Sequence, residues 1–145
     1  MRIEVYISGE PVAQGRPRFS TFGGYVKAYD PSKSRDFKNL VRLEAEKAMG
    51  GLPPATRAVS VDIEVYRSAP RSFSKKKLKA ALERTLRPVT RPDVDNYAKS
   101  VLDGMTGVVW ADDAQIVHLS VDKYYSGRPH VLAAVESLED DDAVR

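Results

Sequence analysis

Two short acidic runs carry side chains that could do chemistry together. Asp93-Val94-Asp95-Asn96, with Lys99 three residues on, opens a stretch of helical spacing, and Trp110-Ala111-Asp112-Asp113-Ala114-Gln115 lies just before a stretch of strand spacing. Carboxylates two apart across a helix N-terminus can converge on one point, because the first is still in extended backbone while the second is in the first turn. Hard oxygen donors of this kind suit Mg²⁺ or Mn²⁺, which keep waters and accept phosphate oxygens as remaining ligands. Each residue alone also has an ordinary use. Asp95 can complement the helix dipole or pair with Lys99 at i,i+4, and Asp112-Asp113 can make a turn.

The charge distribution favours the chemical use. Residues 67–91 hold nine Lys/Arg against the single acid Glu83, whereas residues 92–125 hold six Asp against Lys99 and Lys123. A basic block abutting an aspartate cluster suggests a polyanion held beside a divalent cation, although a solvated face is the ordinary reading of any single charge. The absence of cysteine removes disulfides, thiolate nucleophiles and zinc–thiolate sites. With only His118 and His130, a histidine-rich metal centre or a Ser-His-Asp hydrolase is poorly supported. No stretch approaches a membrane span, and Met1-Arg2-Ile3-Glu4-Val5 lacks a signal-peptide core, so a cytoplasmic location is expected.

The elements that must position these residues follow from periodicity. Residues 2–8 and 59–66 alternate as half-buried strands. The Arg16-Pro17-Arg18 segment, followed by Gly23-Gly24, reads as a mobile basic loop or small hairpin. A helix capped by Ser32 or Ser34 should bury Phe37, Leu40, Val41 and Ala48, with Glu44 at the rim, and stop at Gly50-Gly51. A basic helix capped by Ser74 carries Lys75, Lys76 and Lys77, has Leu78, Leu82 and Leu86 as its apolar stripe, and closes at Pro88. The next helix opens at Pro92 or Val94, buries Val94, Ala98, Val101, Leu102 and Met105, and ends at Gly104 or Gly107, with Asp95, Lys99 and Asp103 on its other face. A strand to about Tyr125 then turns at Ser126-Gly127-Arg128-Pro129 and pairs with a strand over residues 130–136. The expected fold is a single α+β domain over residues 1–138, with a small mixed, largely antiparallel sheet packed against helices, followed by an acidic disordered tail over residues 139–145.

The composite pattern Arg91-Pro92-Asp93-Val94-Asp95-Asn96, then Lys99, then Val101-Leu102-Asp103, then Trp110-Ala111-Asp112-Asp113-Ala114-Gln115-Ile116-Val117 resembles the RusA family of Holliday junction resolvases, small homodimeric endonucleases of phages, prophages and bacteria. A looser likeness runs through Gly9-Glu10-Pro11 and Gly15-Arg16-Pro17-Arg18 to Tyr29-Asp30-Pro31-Ser32. The resemblance implies that Asp93, Asp95 and Asp113 bind Mg²⁺, with Mn²⁺ able to substitute, and that Lys99 is the catalytic lysine; it leaves Asp112 unassigned. A lysine usual in the loop is Gln14 here, which removes one phosphate-binding charge and leaves Arg16 and Arg18. The implied partners are four-way junction DNA and a second copy of the chain, and the implied product is a pair of symmetric nicks with 5′-phosphate and 3′-hydroxyl ends.

Arg16, Arg18, Lys75, Lys76 and Lys77 are the expected DNA contacts. Trp110, Tyr124 and Tyr125 are candidates for a shared surface, with ordinary core or strand packing as their alternative. Two other classes compete. A non-catalytic junction-binding module would use the same basic residues and leave the aspartates as caps, but clustered carboxylates facing a polyanion repel it without a metal. A metal-dependent phosphohydrolase for small phosphates would not need so large a basic surface.

Overall fold

The computed structural model describes residues 1–15, 18–20, 22–24, 27–29 and 31–138. In chain order its elements are β1 (Arg2–Ser8), β2 (Arg18–Ser20), β3 (Lys27–Tyr29), α1 (Ser32–Met49), β4 (Val59–Arg67), α2 (Lys75–Leu82), α3 (Val94–Met105), β5 (Ile116–Tyr125) and β6 (His130–Ser137). A 3₁₀ turn, Asp113–Gln115, leads into β5. The main sheet has the order β1-β6-β4-β5, antiparallel except for the parallel pair β4–β5, while β2 and β3 form a separate hairpin. This is the expected α+β class; of the expected basic loop, Arg18 lies in β2 of the small two-stranded sheet, and Arg16 and Pro17 lie outside the described residues. The expected acidic tail, residues 139–145, lies outside the described residues.

Alternation decides the layering. Val59, Val61, Ile63 and Val65 of β4, Val5 and Ile7 of β1, and Val131, Ala133 and Val135 of β6 are fully buried on one face. Against them pack Phe37, Val41, Ala45 and Met49 of α1 and Ala98, Val101 and Met105 of α3. Burying such side chains is worth roughly 1.5–3 kcal/mol each, so this helix-covered face holds the domain together. The opposite face is lined by aromatic rings, with Arg84 and Arg87, from the segment after α2, lying over Tyr66 and Tyr124. There Tyr6, His130, Tyr66 and Tyr124 stack in a row across all four strands, with ring centroids 4.3–5.2 Å apart. Burial pushes the Tyr66 phenol up to about 12, and its hydroxyl donates to Glu64.

Several expectations need correction. β5 and β6 do not pair with each other; β6 lies between β1 and β4, and β5 is an edge strand parallel to β4. The turn after β5 instead crosses the end of β4, where Ser126 N–H donates to Arg67 O at 2.9 Å. Alternation specifies which side chains face the core and is silent about which strand lies next door. α1 has no serine cap: Pro31 is its N-cap, and Leu40 is exposed while Ala45 and Met49 are buried. α2 does start at a Ser74 cap, which accepts from Lys77 N–H at 3.2 Å, but it ends at Leu82. With Ala81 as its buried residue, Leu78 and Leu82 stay exposed. Val94, expected in the buried stripe of α3, is exposed, and Tyr97 and Ser100 are buried there.

Gly104 does not end α3. A Cβ there would lie 2.7 Å from Val41 Cβ and 2.9 Å from Lys38 O, so glycine is what lets α3 cross α1 closely. Trp110 and Tyr125 are core residues, and Tyr124 stacks on Tyr66 beneath the guanidinium groups of Arg84 and Arg87.

Candidate active site

The site is assembled around the first turn of α3. Pro92 cannot donate a hydrogen bond and Asp93 stands in extended backbone (φ −75°, ψ 155°), so the helix begins at Val94. The segment after β1 is laced to this turn: Gln14 N–H donates to Asn96 O at 2.9 Å, and Ser100 Oγ donates to Val12 O at 2.6 Å. It is also tied to α1, because Ser34 Oγ accepts from Gly15 N–H at 2.8 Å. A Cβ on Gly15 would meet Pro31 Cγ and Ser34 Oγ, each at 2.9 Å, so the loop closes on α1 only with glycine there. Between these walls lies a cleft of about 490 Å³, lined among others by Gln14, Lys33, Arg91, Asp93 and Asn96.

Asp93, Asp95 and Lys99 are exposed at this end of α3. Of their ordinary uses only one is met among the described residues: Asp95 is the acid in the first turn of α3, where it complements the helix dipole. Asp93 is the N-cap by position but its carboxylate accepts no capping hydrogen bond, and no ion pair joins Asp95 to Lys99. Asp103, expected on the same face, is instead paired with Lys38 of α1 at 3.3 Å. Asp112 has a structural use: it caps the 3₁₀ turn in a full capping box with Gln115. Asp113 is exposed, but one of its oxygens is anchored, accepting from Trp110 Nε1 at 3.0 Å and from Thr106 Oγ1.

The structure brings Asp93 and Asp95 to one end of α3 and leaves Asp113 at the other, since Thr106 is the C-cap of that helix. At about 1.5 Å per residue, Asp95 and Thr106 are roughly 16 Å apart along the helix axis. Accordingly, among the described residues no group of three carboxylate or imidazole side chains is gathered at ligand spacing within one chain. Asp93, which lines the cleft with Asn96, and Asp95, exposed in the first turn of the same helix, are donors that fit Mg²⁺, which is commonly held by one or two carboxylates and completes its shell with waters and phosphate oxygens.

Of the expected DNA contacts, Arg16 lies outside the described residues, and Arg18 is placed by its backbone in β2. Lys75, Lys76 and Lys77 are exposed on the first turn of α2, with Lys77 over the Phe73 ring at 4.8 Å. None of these lysines lines the cleft; Lys33 and Arg91 do. Arg91 was visible as the last residue of the basic block, but Lys33 is brought in from α1 and carries no signal in the motif.

A small α+β domain with Lys33, Arg91 and Asp93 on one cleft, and Asp95 and Lys99 exposed on the adjoining helix, carries groups of the type that meet a phosphate-bearing substrate. The family model described as Endodeoxyribonuclease RusA matches residues 8–136, and the chain belongs to this family of nucleases. It is also 47% identical, over 140 residues covering 94% of the chain and 96% of the relative, to the "Uncharacterized protein YqaN" of Bacillus subtilis (strain 168). No described helix is long and apolar enough to cross a membrane.

Proposed function

We propose that the protein is a metal-dependent, structure-selective endodeoxyribonuclease that acts as a homodimer. On this reading it resolves Holliday junctions by paired symmetric nicks leaving 5′-phosphate ends. The observation that carries the reading is a cleft lined by Asp93 together with Lys33 and Arg91, with Asp95 and Lys99 exposed on the helix that has Asp93 at its N-cap position. Asp93 and Asp95 would hold Mg²⁺ or Mn²⁺, which when bound supplies Lewis acidity toward the scissile phosphate and activates water. Lys99, one turn beyond Asp95, presents its ammonium to charge that develops on the phosphate. Lys33 and Arg91 give the backbone phosphates a cationic wall and offset the charge lost at Gln14. Lys75, Lys76 and Lys77, exposed on α2 outside the cleft, would add further phosphate contacts.

The length of α3 supports the dimer. Asp113 cannot reach the Asp93–Asp95 end of its own helix, so it joins them in one site only if a second chain supplies it. A two-fold axis makes that exchange reciprocal, giving two equivalent sites and two nicks in strands of like polarity. The test is cleavage of a synthetic four-way junction with Mg²⁺ or with EDTA, beside a linear duplex and free nucleotides. Paired nicks confined to the junction and lost in EDTA are expected. Junction binding without cutting would make the protein a non-catalytic binder, and hydrolysis of nucleotides alone would make it a small-phosphate hydrolase.

A further inference from the structure

The backbone that leads into α3 is held by cations from the sheet. Lys123 Nζ, near the end of β5, donates to Thr90 O and to Pro92 O, each at 3.0 Å. Arg67 Nη1, from the last residue of β4, donates to Arg91 O at 3.0 Å. β4 and β5 run parallel with Val65 opposite Lys123, so both side chains leave the same end of the sheet on its helix-covered face. Lys123 is itself secured, because its carbonyl accepts from Arg87 Nε at 2.7 Å. Arg87 in turn pairs with Asp122 at 3.3 Å and lies 4.1 Å above the Tyr124 ring.

Three successive carbonyls, residues 90–92, are thus tied to the parallel strand pair immediately before Asp93. An ammonium has three donors and can bridge two carbonyls that a neutral side chain with one donor could not. We infer that Lys123 and Arg67 are positioning residues for the candidate nuclease site: by holding residues 90–92 they set the direction in which the chain enters α3, and so the place of Asp93 relative to Asp95. The inference rests on the nuclease reading above. The role needs no contact with phosphate, since it is carried by the bonds from Lys123 Nζ and Arg67 Nη1 to main-chain oxygens.

The sign of the effect separates this role from a direct electrostatic one. Removing a positive charge near two carboxylates should tighten cation binding if charge alone matters, whereas loosening Asp93 should weaken it. The experiment measures Mn²⁺ binding to the free protein by electron paramagnetic resonance, together with junction binding in EDTA and the Mg²⁺ half-saturation of nicking. Wild type, Lys123→Met, Arg67→Met and Lys123→Arg are compared. Both Met variants should bind Mn²⁺ about tenfold more weakly, the size usual when an outer support of a metal ligand is lost. Their junction affinity should stay within about twofold, because few phosphate contacts change. Lys123→Arg, which keeps donors within reach of the same carbonyls, should recover most of the loss. Should Lys123→Met fail to fold, Arg67→Met reads the same quantity, since its bond to Arg91 O is at the surface. Unchanged or tighter Mn²⁺ binding in the folded Met variants overturns the positioning role. A wild-type protein that neither binds Mn²⁺ nor nicks a junction overturns the nuclease reading itself, and shows this without any variant.

Discussion

Asp93 occupies the N-cap of α3 and accepts no hydrogen bond from its first turn, whereas Asp112, the N-cap of the 3₁₀ turn, completes a capping box with Gln115. The two aspartates should therefore respond oppositely to substitution. Asp112→Ala should cost about 1 kcal/mol of stability, the usual worth of a cap, and leave nicking largely intact. Asp93→Asn and Asp95→Asn should abolish nicking while binding a four-way junction as well as wild type or more tightly, because each removes negative charge beside phosphate. Lys99→Ala should bind and cut poorly. Asp113→Asn is informative because its amide oxygen can still accept from Trp110 and Thr106, so a folded but inactive variant assigns the carboxylate to chemistry. Denaturation midpoints, junction binding and nicking rates on one set of proteins read all five. At this scale the motif singled out Asp93, Asp95 and Lys99 as candidates, since spacing and type are local properties, and the variants above test their roles. Through the family resemblance it also picked Asp113 and left Asp112 unassigned, because the cap that Asp112 makes depends on how one turn folds, and it could not find Lys33, which reaches the cleft through the packing of α1.

The crossing of α1 and α3 bears on where the acidic end of α3 sits, and at Gly104 the two helices approach too closely for a Cβ. Gly104→Ala adds a methyl 2.7 Å from Val41 Cβ and should cost about 1–3 kcal/mol by overpacking, despite alanine's better helix propensity. Val41→Ala in the same chain should return part of that loss, measurable as a coupling in a denaturant double-mutant cycle. A cost for Gly104→Ala that Val41→Ala leaves untouched would mean that the methyl is resisted by something other than this crossing. Periodicity made β1, β4 and the start of α2 legible, because alternation and capping are written in neighbouring residues. Gly104 was legible only as a helix stop, since a glycine needed for close packing and a glycine that ends a helix look alike in sequence. The place of β6 between β1 and β4 was not legible at all. A four-residue turn ordinarily joins neighbouring strands, and here it passes over the end of the strand between them.

Across the whole molecule, α3 acts as a spacer: it carries Asp93 and Asp95 at one end and, through Thr106 and the 3₁₀ turn, Asp113 at the other. A chain so arranged is incomplete alone if all three carboxylates serve one metal site, and two chains related by a two-fold axis complete each other. The most direct test mixes two separately inactive proteins, Asp95→Asn and Asp113→Asn, under different affinity tags, allows the chains to exchange, and assays the purified heterodimer on a four-way junction. If the site is shared, one of its two copies in the heterodimer combines unaltered Asp93 and Asp95 from one chain with unaltered Asp113 from the other, so metal-dependent nicking of a single strand should return. A heterodimer that forms and remains as inactive as its parents would contradict the account.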